Sequence, residues 1–374
     1  MRVVGFAWAL GGAACAPAGG ESCDGGRCAP DAGAPDERLA RPPATCGAPV
    51  GGECSANADC DLGLECGEGA CRCTGPVCTL ACYEGAKPDR LRVAGGRLFY
   101  LLEREAGDWE LVSLAALDGA SATLAAGVGH AALALHDDEI VVAFEPSPGR
   151  TQVDRMALDG SGRTELLPGW GLPLPFRWLT VSDDELLLGR DREVYAVPRA
   201  GGAPLLVAGG LSVNVPRWFV VEGRQLYWVN DDIDSVTQPD HVMTVSLDDV
   251  EGTLRIHGQA NGIREMISCG GEIVFTDGDA VYRLVREAVS TTWFSPGSLA
   301  LGCQSDAVLA TELGEGNTRA LARRSILGLA ETLLTVPLGG ALETDSLAAA
   351  ADHVVWTTAS GGPWRVLRME APSR

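Results

Sequence analysis

Cysteine is almost missing from most of this 374-residue chain. Eleven of its thirteen cysteines lie in the first 82 residues, and only Cys269 and Cys303 lie in the remaining 292. This division separates a cysteine-rich N-terminal part from a long body with little covalent cross-linking. Because cytosolic thiols are kept reduced, such clustered cysteines indicate an oxidising compartment.

Positive charge and catalytic signatures are also scarce. Lysine occurs once, at Lys87, and the net charge is −21, so a nucleic-acid partner is excluded because phosphate backbones would be repelled. The five histidines form no H-x-x-x-H pair, and neither a G-x-S-x-G elbow nor a phosphate-binding loop of the form G-x-x-x-x-G-K-[ST] occurs. No familiar catalytic arrangement is therefore visible.

Long apolar runs are missing as well. A membrane-spanning helix needs roughly 20 consecutive apolar residues. The most apolar segment, residues 111–135, is interrupted by Asp118 and His130. We therefore expect membrane attachment only through a lipid anchor.

The N-terminus has the pattern of an export signal. One arginine precedes the apolar run VVGFAWAL at residues 3–10, and the small residues GGAA lead into Cys15, which predicts a signal peptide over residues 1–14. The Ala13-Ala14-Cys15 sequence resembles the lipobox of bacterial lipoproteins. That resemblance implies a lipidated Cys15 and a place on the cell envelope. The alternative is an ordinary cleaved signal and an extracellular protein.

Two short regions follow the signal. Residues 15–45 are rich in Pro and Ala and predict a tether, in which Cys23 and Cys28 can close a small loop. Residues 46–82 contain eight cysteines and many glycines, so we predict a small disulfide-rich module. Zinc is the competing interpretation, but no C-x2-C unit is present. The run CSANADCDLGLECGEGACRC resembles EGF-like and Dickkopf-like cysteine-rich segments, and the sequence assigns no pairing.

The body, residues 88–374, repeats one phrase seven times: an apolar strand, a polar turn and a second apolar strand. The copies are LRVAGGRLFY (91–100), LALHDDEIVV (133–142), LTVSDDELLL (179–188), FVVEGRQLYW (219–228), MISCGGEIVF (266–275), LGCQSDAVLA (301–310) and LAAAADHVVW (347–356). We take one anchor residue from the second strand of each copy, namely Leu98, Ile140, Leu186, Leu226, Ile273, Ala307 and Val354. The anchors recur with a period in the low forties, which is typical of β-propeller blades.

Further strand, Gly/Asp turn and strand patterns follow the first four copies, so each unit predicts four antiparallel strands. We therefore predict an all-β fold, a seven-bladed β-propeller preceded by the disulfide-rich module. Six blades remain an alternative if the sixth copy merges with a neighbour. The seventh unit stops after its third strand, and the segment 77–83 is expected to supply the missing outer strand.

A family resemblance agrees with this fold. The phrases QLYWVND, HVVWTT, HVMTVSLDD and YAVPRAGG resemble the repeats of secreted bacterial propellers of the TolB-like and YWTD-like groups. The resemblance implies the propeller fold and carries almost no information about activity, because one fold supports many functions.

Candidate sites are few. Asn230, Asp232 and Asp234 are spaced like the first oxygen ligands of a calcium loop, although the rest of an EF-hand is absent, so they form a weak candidate for Ca2+. Apart from this possible ion, no cofactor is expected. Four aromatic residues between blades are candidates for a binding face or for packing between blades, and these are Trp170, Phe176, Trp293 and Phe294.

Cys269 and Cys303 each lie four residues before an anchor, so they occupy equivalent places in the inner strands of consecutive blades. This equivalence predicts a disulfide bond between them.

The predicted function is that of an exported, lipid-anchored, non-enzymatic binding or scaffold protein whose ligand is a protein, peptide or glycan. The alternative is a propeller hydrolase or lyase acting on an extracellular glycan or a similar substrate. A pocket with two facing carboxylates and a shifted pKa would favour the enzyme.

Overall fold

Each copy of the repeated phrase forms the inner two strands of a four-stranded antiparallel unit in the computed structural model of this protein. In the fourth copy, for example, Val221 pairs with Leu226 across a turn at Gly223 and Arg224. The structure describes residues 21–24, 27–30, 46–62, 64–74, 77–104, 107–115, 120–147, 150–168, 176, 178–190, 192–209, 215–231, 240–250, 253–260, 262–285, 288–290, 300–314, 318–325, 330–337, 344–359 and 363–370.

A short N-terminal unit and the disulfide-rich module precede the repeats. The first unit, Met1–Ala34, contains a hairpin of β1 (Glu21–Asp24) and β2 (Arg27–Pro30), whose register places Cys23 opposite Cys28. The second unit, Pro35–Arg374, contains both the module and the repeats. The module comprises a 3-10 turn at Asn57–Asp59, β3 (Leu64–Gly67) and β4 (Ala70–Cys73), and β5 (Val77–Tyr83) follows.

The repeats form seven four-stranded units, which we call blades 1 to 7, and blades 1 and 2 share the long strand β9 within one seven-stranded sheet. Blade 1 contains β6 (Ala86–Ala94), β7 (Arg97–Arg104), β8 (Asp108–Ala115) and the first half of β9 (Ser121–His136), and blade 2 contains the second half of β9, β10 (Glu139–Ser147), β11 (Arg150–Ala157) and β12 (Thr164–Glu165). Blade 3 contains β13 (Trp178–Val181), β14 (Glu185–Arg190), β15 (Glu193–Pro198) and β16 (Leu205–Gly209), and blade 4 contains β17 (Val215–Glu222), β18 (Gln225–Asp231), β19 (Asp240–Ser246) and β20 (Arg255–Ala260). Blade 5 contains β21 (Glu265–Cys269), β22 (Glu272–Thr276), β23 (Val281–Val285) and β24 (Ala288–Ser290), and blade 6 contains β25 (Leu301–Gln304), β26 (Ala307–Gly314), β27 (Thr318–Ser325) and β28 (Ala330–Pro337). Blade 7 contains β29 (Thr344–Ala349), β30 (His353–Thr358), β31 (Trp364–Glu370) and β5.

The fold prediction is therefore confirmed, with seven blades rather than six. Each inner strand contacts the inner strand of the next blade, and β29 of blade 7 contacts β6 of blade 1, so the ring is closed. The strand expected to complete blade 7 is also confirmed, because β5 pairs antiparallel with β31. β5 thus belongs to two parts of the molecule: its cysteines lie in the module and its backbone lies in the propeller. Among the described residues, no helix is long and apolar enough to cross a membrane.

Hydrophobic burial holds neighbouring blades together. Because side chains alternate along a strand, each blade presents one apolar face to the blade before it and another to the blade after it. Leu226 and Trp228 of β18 pack towards blade 3, whereas Val229 packs towards blade 5. The described residues form seven such cores, one between each pair of neighbours. Trp228 and Trp356, expected in the core, are both fully buried.

Disulfide bonds stabilise the module and one blade junction. The module contains the pairs Cys46–Cys82, Cys54–Cys66, Cys60–Cys71 and Cys73–Cys78. In the body, Cys269 of β21 is bonded to Cys303 of β25, with 5.5 Å between their Cα atoms. That separation lies within the usual range for a disulfide.

We predict that replacing both Cys269 and Cys303 by alanine lowers the free energy of unfolding by about 3–4 kcal/mol, because the bond closes a loop of 34 residues. Urea unfolding of the wild type and the double variant measures this change. Mass mapping of the unreduced wild type should recover the two cysteines in one linked peptide pair. Recovery of both as free thiols would contradict the bond.

Candidate functional site

One position of the repeat lines the central channel. It lies eight residues before the anchor of each copy, and in five blades it is occupied by Arg90, Trp178, Trp218, Glu265 and Ser346. All five residues line a single cavity at the centre of the ring. Blade 2 has the buried Ala132 at this position, and the equivalent residue of blade 6, Leu299, lies outside the described residues.

Three of these side chains are stacked on one another. The guanidinium carbon of Arg90 lies 4.4 Å from the ring centroid of Trp178. The ring of Trp178 in turn lies 4.7 Å from that of Trp218, at an interplanar angle of 47°. Such cation–π and tilted aromatic contacts are favourable. The stack connects blades 1, 3 and 4.

The backbone at two of these residues is in an unusual conformation. Arg90 has a φ of 56° and Trp218 a φ of 53°, both in the left-handed region that bulky residues rarely adopt. The strand register shifts between Asp89 and Arg92 and between Arg217 and Val220, so each residue lies in a bulge. Strained backbone of this kind persists only where the surrounding structure stabilises it, and it is common at functional sites.

Above the stack, the cavity widens into a mouth at the face where the inner strands begin. The mouth encloses about 490 Å³, within the usual range for small-ligand sites. Its charged lining contains three guanidinium groups, one histidine and two carboxylates, contributed by Arg90, Arg217, Arg264, His130, Glu103 and Asp240. Two indoles and several charges thus converge on one opening.

Two of these groups are held by the local fold. The Asp240 carboxylate is buried and accepts a 2.7 Å hydrogen bond from the backbone N–H of Ile263. The exposed side chain of Arg264 passes directly over the backbone of Gly278. A Cβ atom on residue 278 would lie only 2.7 Å from the Arg264 Nε. Gly278 has a φ of 91°, so glycine is required there both for conformation and for space.

Below the stack, the channel narrows into a throat lined by Asp89, Arg92, Glu265 and Ser346. The Glu265 carboxylate accepts a 2.6 Å hydrogen bond from the backbone N–H of Leu301. Burial strips water from this carboxyl and raises its pKa to about 7, against the lowering effects of that hydrogen bond and of Arg92. Desolvation also lowers the pKa of Arg92. Asp89 and Glu265 thus bring two carboxyl groups into one cavity.

A second cavity of about 410 Å³ lies between blades 4 and 5. Its carboxylates are used internally, since Glu222 accepts a hydrogen bond from Ser268 and Glu272 pairs with Arg283. We therefore regard the central mouth as the better candidate site.

The aromatic residues selected from the sequence are not those of the mouth. Phe176 is 1 % exposed and packs in the core between blades 2 and 3, so its assignment to a binding face is corrected to one of packing between blades. Trp170, Trp293 and Phe294 lie outside the described residues.

The other candidate sites fall largely outside the described part of the chain. Asn230 is buried near the end of β18 and pairs in register with His241, whereas Asp232 and Asp234 lie outside the described residues, as does Cys15. Two groups of side chains in the module have metal-like spacing, but every cysteine in them is in a disulfide bond. A bonded sulfur is not a thiolate ligand.

Similar structures place the fold among propellers. No protein-family model matches this sequence, and no curated protein matches it. An oligogalacturonate lyase in complex with manganese is 10% identical, with a TM-score of 0.57 and coverage of 79% of this chain and 93% of that one. The WD40 repeats of RRP9 are 11% identical, with a TM-score of 0.54 and coverage of 79% and 97%.

A puromycin-hydrolysing peptidase of Mycobacterium tuberculosis is 15% identical, with a TM-score of 0.53 and coverage of 87% of this chain and 54% of that one. The chain therefore spans about half the length of the puromycin hydrolases that it resembles. At these identities the likeness shows the propeller fold alone.

We predict that Glu265 makes stability fall as pH rises. Its pKa is about 7 in the folded protein against 4.5 for an ordinary glutamate, so the folded state keeps a proton that the unfolded state has released. The stabilisation is complete below about pH 4.5 and lost as pH rises through about 7, at up to about 1.4 kcal/mol per pH unit.

Urea unfolding at about pH 5 and about pH 8 tests this prediction, because the two values bracket most of the window. The wild type should lose more stability over this interval than Glu265→Gln, whereas Glu103→Gln, on the exposed rim, should behave like the wild type. Equal losses in all three proteins would contradict a titrating Glu265.

Proposed function

We propose that this protein is an exported binding protein whose ligand occupies the mouth of the propeller. The observation that carries the proposal is the stack of Arg90, Trp178 and Trp218 at the top of the channel. Partly exposed indoles at a cavity supply large rigid contact area, and tryptophan and arginine dominate the energetics of many binding sites. A ligand with a flat or ring-shaped apolar face fits these surfaces.

Export is supported by the covalent structure. Four disulfides in the module and one between blades 5 and 6 are typical of a protein that folds in an oxidising compartment. Together with the lipobox-like sequence at Cys15, they favour a lipid-anchored protein of the cell envelope, and an extracellular protein is the alternative.

The anchor is tested by labelling cells with a radioactive fatty acid. We predict that the full chain incorporates label and that Cys15→Ala does not, because the thiol of Cys15 would carry the lipid. Cys303→Ala is the matched control, since it removes a cysteine from the body and should retain the label. Absence of label in the wild type would contradict the lipid anchor and would favour the extracellular protein.

The partners of the two carboxyl groups in the throat favour binding over catalysis. Glu265 holds the start of blade 6 through Leu301, and Asp89 lies beside Arg90, with 3.8 Å between Oδ2 and Nε. Both carboxyl groups therefore have structural partners.

A propeller hydrolase or lyase is the second candidate. The specific observation in its favour is the pair of carboxyl groups in the throat, one with a pKa of about 7, because an acid of that strength can exchange protons near neutral pH. Structures of similar fold include an oligogalacturonate lyase and puromycin hydrolases. Their similarity to this chain concerns the fold and does not assign their activities to it. Release of shortened or unsaturated sugars from oligosaccharides, lost in Glu265→Gln, would favour this candidate.

Binding at the mouth is tested with a panel of neutral oligosaccharides, acidic oligosaccharides and peptides. Isothermal titration of the full chain should identify a ligand. Trp178→Ala and Trp218→Ala should each lower the affinity for that ligand by about tenfold or more, equivalent to about 1.4 kcal/mol. Trp364→Ala is the matched control, because Trp364 lies in blade 7 beside Lys87 and outside the mouth lining. Unchanged affinity in both mouth variants would place the ligand elsewhere.

A further inference from the structure

We propose that the mouth selects acidic glycans, with a sugar carboxylate bound by Arg264 while the sugar ring stacks on Trp178 and Trp218. The inference rests on the proposed function, because it names the ligand class for the same site. It depends on which charges at the mouth are used by the protein itself and which are presented to a ligand.

Most carboxylates of the mouth and the throat already have partners within the protein. Asp240 accepts the N–H of Ile263, and Glu265 accepts that of Leu301. Asp89 faces Arg90 at 3.8 Å. Among the described residues that line the mouth, Glu103 is the one with an exposed carboxylate. The described lining therefore offers few free acceptors to a cationic ligand.

The guanidinium of Arg264 has the opposite character. It is exposed, it is positioned over Gly278, and no described side chain accepts a hydrogen bond from it. Glycine at this place gives the arginine room to lie across the mouth. A guanidinium presents a fork of N–H donors that matches a carboxylate in two parallel hydrogen bonds. Arg217, next to Trp218 in the bulge, adds a second guanidinium to the same lining.

The charge of the whole molecule makes this arrangement selective. The chain has a net charge of −21, yet the described lining of the mouth contains three arginines against two carboxylates. The acidic protein repels an anionic ligand elsewhere, whereas the guanidinium groups of the mouth attract a carboxylate. The tilted indoles then cover the apolar C–H face of the ring. Acidic sugars combine both features.

Binding of two matched probes tests this selectivity. The first is an oligouronate trimer, and the second is the same trimer with its carboxyl groups reduced to alcohols. The wild-type extracellular chain should bind the acidic trimer about tenfold or more tightly than the reduced one, and the difference should shrink when salt is raised from about 0.05 to about 0.5 M.

Substitutions separate the roles of charge and stacking. Arg264→Gln should remove most of the preference by weakening the acidic trimer far more than the reduced one, and Arg264→Lys should recover only part of it because the bidentate fork is lost. Arg72→Gln is the matched control for net charge, since Arg72 is exposed in the module and pairs with Glu68. Trp218→Ala should weaken both trimers.

The outcomes distinguish this inference from the proposed function. Equal affinity for the two trimers, or a preference unchanged in Arg264→Gln, overturns acid selectivity while sensitivity to Trp218→Ala leaves the binding site at the mouth in place. Tighter binding of an acidic peptide than of the acidic trimer also overturns it. If neither trimer binds, the acidic-glycan inference is wrong, and the proposed function is then judged by the wider panel.

Discussion

Closure of the ring by β5 is the constraint on which the rest of the structure depends. Blade 7 receives only three strands from the C-terminal end, and β5 completes it by pairing with β31. β5 is fixed to the module by Cys46–Cys82 and Cys73–Cys78. An ion pair also joins the module to blade 7. The Nε of Arg365 in β31 lies 2.9 Å from Oδ1 of Asp61 in the module, and both side chains are almost fully buried. Removing one partner of a buried ion pair commonly costs about 3–5 kcal/mol, so the module is a structural part of the propeller.

Ring closure also fixes the geometry of the mouth. When the last blade is complete, equivalent positions of all inner strands face a common axis, and neighbouring equivalents approach closely. Cys269 and Cys303 show how closely, with 5.5 Å between their Cα atoms. At the position eight residues before the anchor, the same approach brings Trp178 and Trp218 into contact. Blade 2 has Ala132 at this position, packed in the core between blades 2 and 3, and Arg90 of blade 1 contacts Trp178 of blade 3.

The fold could be predicted from the sequence because hydrophobic alternation and two-residue turns recur in every blade. Even the closing strand could be predicted, since the seventh unit visibly lacks one. The mouth could not be found in this way. Its repeat position holds Arg90, Trp178, Trp218, Glu265 and Ser346, which belong to four different chemical types, so a search for a feature common to all blades discards it. Phe176 and Trp178 are only two residues apart, yet one is buried in the core and the other lines the mouth.

This contrast explains how a repetitive chain forms a central mouth with varied chemistry. Positions that pack between blades must remain apolar in every copy, because each of the seven cores stabilises its own junction. The position eight residues before the anchor lines the channel in five blades, and its residue differs between most of them. At two of its members, Arg90 and Trp218, the backbone is held in the left-handed region within a bulge. A closed ring can support that strain, because displacing one inner strand would disturb the packing of both neighbours. The chemistry of the mouth thus depends on the differences between blades, and its rigidity depends on their similarity.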